Sequence, residues 1–111
     1  MFKMSLNRVH DRVKICEGDD SLILRVDADA GRLVAGISEA VKGLQALNDK
    51  STDEDARKAA RYFAGVIFGS DQAEKLIDFY HGDGLCVINL CAKYMTGRLN
   101  KLIAKVQKKS K

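Results

Sequence analysis

The sequence predicts an α+β fold, mostly helical, with about four helices and an N-terminal β-hairpin packed on them. Three observations carry this. Apolar and polar residues alternate with period two on either side of Glu17-Gly18-Asp19-Asp20, the pattern of two half-buried strands around a turn. Beyond residue 28 the apolar residues recur at three- and four-residue spacing, the period of amphipathic helices. Between Phe63 and Tyr94, Gly69-Ser70 and Gly82-Asp83 each pair a helix stop with a helix start. Glycine ends a helix readily because it lacks the Cβ that clashes at positive φ. Ser and Asp begin one because their oxygens accept bonds from orphan N–H groups.

The hairpin is predicted over 12–16 and 22–26. Val13 and Ile15 alternate with Arg12, Lys14 and Cys16, and Leu22, Leu24 and Val26 resume after the turn. Residues 2–9 repeat the alternation and form a candidate third strand. A lone hairpin is marginal in water, so this one must lie on the helices or pair elsewhere.

Asp27 or Asp29 can cap the first helix, whose stripe runs through Leu33, Val34, Ile37, Val41, Leu44 and Leu47. Gly31, Gly36 and Gly43 interrupt it, each costing about 1 kcal/mol against Ala, so packing must sustain it. Asn48 to Ser51 is a break. Thr52 and Asp55 then form a capping-box pattern, with Asp in place of the usual Glu. Asp53, Glu54 and Asp55 fall in the first turn, where the helix dipole favours negative charge, which explains the acidic cluster without a metal. The third helix is short, Asp71 to His81, with Ala73, Leu76, Ile77 and Tyr80 on its stripe. The fourth is predicted as one long helix from Gly84 to Gln107, with a stripe that includes Leu85, Cys91, Met95, Leu99 and Ile103. It outlasts its shorter partners, so its basic C-terminal half is expected to project.

The 111 residues point to one domain, 1–111, with a hairpin region 1–27 and a helical region 28–111. At 46% hydrophobic and 31% charged, the chain can build a core and is not low-complexity. It contains no apolar run long enough to span a membrane and opens without a signal-peptide h-region, so a cytoplasmic location is expected. Cys16, Cys86 and Cys91 show neither disulfide-framework nor zinc spacing and read as small apolar side chains. Neither His10 nor His81 has a partner at ligand or catalytic spacing. Phosphate-loop, nucleophile-elbow and metalloprotease motifs are absent, so no cofactor and no enzymatic role is expected. The net charge of +4 is concentrated in the last fourteen residues, which hold six cations and no acid. A solvated helix end explains this best; no aromatic is interleaved for base stacking, which disfavours nucleic acid.

The segment IFGSDQAEKLIDFYHGD, followed by an apolar helix ending RLNKLIAKVQKK, resembles the small tail assembly chaperones of long-tailed bacteriophages and prophages of Gram-positive bacteria. The shared pattern, over roughly residues 60–107, is an aromatic–Gly turn, a QAxKLxxFY-type helix and a longer helix ending in Arg/Lys. The resemblance implies a non-enzymatic protein that binds the tape-measure protein, keeps its apolar helices soluble and recruits tail-tube subunits. It also implies a longer product made by ribosomal frameshifting, for which Lys108-Lys109 fits a slippery A-rich run. Phe79, Tyr80, Tyr94 and Met95 are the candidate partner-binding residues, since they join apolar area to adaptable or polar tips. Competing readings are a structural tail subunit whose hairpins pair between copies as a homo-oligomer, and a small nucleic-acid-binding protein using the basic last helix.

Overall fold

The computed structural model describes residues 8–109. Most of the candidate third strand, residues 2–7, lies outside them; residues 8 and 9 belong to the first strand. Strands β1 (Arg8–Glu17) and β2 (Asp20–Asp29) pair antiparallel over their whole length, from Arg8↔Asp29 to Glu17↔Asp20. Two residues, Gly18 and Asp19, join them, and only Gly18 has positive φ (+59°), as a type II′ hairpin turn requires. Each strand is longer than the alternation predicts because the register continues through Asp27 and Asp29, whose polarity hid the pattern.

Helix α1 (Ala30–Gln45) starts directly from β2: the Asp29 carboxylate accepts from the Arg32 N–H at 3.1 Å. Helix α2 (Asp53–Phe68) opens with the expected capping box. Asp55 N–H donates to Thr52 Oγ1 at 3.1 Å, and Thr52 N–H donates to Asp55 Oδ2 at 2.9 Å. α2 is the centre of the molecule, touching α1, β2 and the two helices that follow it, and it buries Ala60, Phe63, Ala64 and Ile67. Gly36 of α1 lets α2 come close: a Cβ there would lie 2.6 Å from Val66 Cγ1.

Helix α3 is Ser70–Phe79. Gly69 alone ends α2 and starts α3, with φ +91° and ψ 156°. This corrects the reading of Ser70 as a cap: Ser70 is already helical, and no side chain caps α3. Positive φ with extended ψ is territory that essentially only glycine enters, so the chain reverses within one residue. The end of α3 differs too. His81 N–H bonds to Asp78 C=O at 3.0 Å and Gly82 N–H bonds to Ile77 C=O at 2.9 Å, a Schellman closure. The left-handed position in it is His81 (φ +56°), one residue before the predicted glycine; Gly82 (φ +82°) follows it. Arg57 Nε of α2 donates to the Gly82 carbonyl at 3.1 Å and holds this turn.

The long helix predicted from Gly84 is interrupted. Helix α4 (Gly84–Tyr94), capped by Asp83 on the Cys86 N–H, passes into a π-helical turn, Met95–Leu99, and then into α5 (Asn100–Lys109). The reason lies in the spacing of its buried residues: Val87, Cys91 and Tyr94, then Leu99 and Ile103. The five-residue step from Tyr94 to Leu99 overshoots an α-helical turn but matches a π turn. The predicted stripe had taken Met95 and Leu85 instead, and Leu85 is 60% exposed. The C-terminal half does not project. Leu99 and Ile103 are buried, and α5 packs on α1 and β1, with Lys101 and Lys105 turned to solvent.

Candidate functional site

The inward face of β1 carries Val9, Asp11, Val13 and Ile15, so an acid sits where the strand's period calls for an apolar side chain. Asp11 is only 6% exposed at its side chain. Three bonds satisfy it. Tyr94 Oη donates to Oδ2 at 2.6 Å, Arg98 Nε donates to Oδ2 at 2.6 Å, and the other arm of the guanidinium donates to Oδ1 at 2.8 Å. Arg98 holds the Asp11 carboxyl down at about 2, with help from the Tyr94 hydroxyl and against the effect of burial. Burial, then the bond to Asp11, pushes the Tyr94 phenol well above its usual range. General acid–base work wants groups tuned toward the working pH, and both move away from it. The cluster is a tether between β1 and the π turn. Sequence reading overlooked Asp11 and Arg98, although the visible signal was an acid in phase with Val9 and Ile15.

Tyr94 also stacks on Phe68, with ring centroids 5.7 Å apart. It is nine-tenths buried, so Tyr94→Ala removes packing and tether together and cannot isolate a partner contact. Phe79 and Tyr80 meet edge to face at 5.3 Å, and both are half-buried. Met95, half-buried, opens the π turn. Of the four candidate residues, Tyr80 lines a groove between β1 and α4 whose lining does not include the other three.

That groove, of about 400 Å³, is floored by Val13, Ile15, Tyr80 and Leu90, with Lys14 and Lys93 at its rim. A second groove of about 400 Å³ runs between α1 and α5, lined by Val34, Ile37, Val41 and Ile103 with Ser38, Lys42 and Asn100. Its main exposed apolar side chain is Val34, at 44%. Among the described residues no three His, Cys, Asp or Glu side chains are grouped to hold a metal ion. No described helix is long and apolar enough to cross a membrane. Burial pushes the Cys91 thiol up to about 12, and the Asp83 carboxylate raises that of Cys86. Neither thiol is poised as a nucleophile.

Against known protein families, curated proteins and solved structures, the chain finds no match.

Proposed function

We propose that this protein is a phage tail assembly chaperone that binds the tape-measure protein and helps recruit tail-tube subunits in the host cytoplasm. The observation that carries the reading is the α1–α5 groove. Val34, Ile37 and Val41 repeat at helical spacing along one wall, and Ile103 forms the other. An amphipathic helix anchors in such a groove through residues at i, i+3 or i+4, and i+7. A tape measure rich in apolar helices would offer many such stripes, so one small protein could coat it repeatedly without chemistry. The resemblance over residues 60–107 points to the same task.

Co-expression with the tape-measure gene of the same prophage, followed by size-exclusion chromatography, tests this. A soluble complex containing many copies of this chain is expected. Val34→Asp should abolish co-elution while the melting temperature stays within a few degrees, because Val34 is an exposed side chain outside the buried core. An insoluble tape measure with this chain eluting alone would end the proposal. Polymers of the chain alone would favour a structural tail subunit instead.

A further inference from the structure

The two edges of the hairpin are treated differently. On β2, Gln72 of α3 takes the place of a neighbouring strand: the Arg25 N–H donates to Gln72 Oε1 at 2.7 Å, and Gln72 Nε2 donates to the Arg25 carbonyl at 2.7 Å. Because Arg25 turns both groups away from β1, its partner Arg12 must turn its own away from β2. The alternation then points the N–H and C=O groups of Lys14 and Cys16 out of β1 as well, and these have no partner among the described residues. Unpaired strand edges recruit other strands.

This open edge has a floor. The groove between β1 and α4 is lined by inward-facing Val13 and Ile15 and also by outward-facing Lys14 and Cys16. A cavity lined by both faces of a strand runs along its edge. Across it stand Tyr80, Leu90 and Lys93. A strand edge beside a helix, with apolar pockets below and backbone groups at the side, is the geometry of peptide capture by strand addition.

Charge selects the occupant. Arg12, Lys14 and Lys93 are exposed, and no described carboxylate pairs with them. The acid at the groove's far end, Glu17, acts on the Tyr80 hydroxyl and helps raise its pKa, after burial. A second copy adding antiparallel through its own β1 would bring Arg12 and Lys14 against the same cations, and like charges across strands repel. We propose that β1 binds an extended acidic peptide segment of a partner protein, which adds as a third strand beside Lys14 and Cys16 and drops alternate apolar side chains toward Tyr80 and Leu90. This surface is separate from the α1–α5 groove and stands or falls without it.

The test uses the full chain and a fluorescein-labelled hexapeptide of alternating valine and glutamate, with both ends blocked. Anisotropy should report saturable binding. In amide-resolved NMR the Lys14 and Cys16 N–H groups should shift and gain exchange protection, while Ser21 and Ile23 on the opposite edge should not. The double variant Lys14→Glu, Lys93→Glu should bind at least about tenfold more weakly. N-methylating the peptide on its pairing edge should abolish binding, and this control leaves the protein untouched. Equal binding of the N-methylated peptide, or of a valine–lysine hexapeptide, would overturn the proposal. So would concentration-dependent protection of the Lys14 and Cys16 amides without peptide, which would show a second copy on the edge.

Discussion

Helices α4 and α5 belong to one arm, yet they are held in different ways. α4 is fixed by backbone. At Gly84 a Cβ would lie 2.7 Å from both Ala56 C and Arg57 N of α2, so two main chains touch where the helices cross. α5 is held instead by side chains: its own buried Ile103, the buried Leu99 that ends the π turn before it, and the Asp11–Tyr94–Arg98 tether beside that turn. A backbone contact cannot relax and is indifferent to pH, whereas a tether made of a carboxylate, a phenol and a guanidinium is neither rigid nor indifferent. Attachment by side chains also leaves the α1–α5 groove open beside α5.

The sharpest test of the contrast is Gly84→Val. It forces side-chain atoms into the α2 backbone, and a loss of more than about 3 kcal/mol is expected, at the upper end for overpacking. The urea midpoint would report it, and an unchanged midpoint would mean that the crossing is not close. Asp11→Ala should cost less, about 1–3 kcal/mol, because it leaves the buried Tyr94 hydroxyl without its acceptor. Arg98 supplies the charge-dependent part of the tether, reduced because solvent partly screens its exposed guanidinium.

The same residue sets a pH signature. Its folded pKa of about 2 lies below the ordinary 3.8, so the unfolded chain takes up the proton first. The tether's contribution is complete above pH about 4 and is lost as pH falls through about 2. The stability gap between the native chain and Asp11→Asn should therefore narrow across that window, while the Gly84→Val gap should not change because of this group. A gap for Asp11→Asn that stays constant from pH 5 to 2 would contradict the tether. The smallest effect is expected at Gly97, inside the π turn, where a Cβ meets nothing within 4 Å. Gly97→Ala should stabilise by up to about 1 kcal/mol through reduced freedom of the unfolded chain. A measurable loss by calorimetry would show that the π turn needs glycine.

Local signals proved the legible ones. The capping box of Thr52 and Asp55, the Asp29 and Asp83 caps and the Glu17–Asp20 turn all involve partners a few residues apart, so their chemistry is present in the string itself. The mostly helical α+β class followed from periodicity in the same way. The candidate partner residues were chosen by type alone, and type did not separate Tyr80, lining a groove, from Tyr94, stacked on Phe68 and bonded to Asp11. Gln72, an ordinary polar residue on α3, gave no hint that it would close the edge of β2 across 47 positions.

By itself, then, the chain determined its hairpin turn, the start of most helices and the caps at Asp29, Thr52 and Asp83, because those rest on interactions within a turn or two of helix or strand. The phase of the last helix, the crossing at Gly84, the burial of Asp11 and which strand edge lacks a partner among the described residues were decided only by tertiary structure. Each depends on which distant surface the element meets. The step from Tyr94 to Leu99 shows why: two apolar stripes fit the sequence, and only packing against α1, α2 and β1 selected the one that needs a π turn.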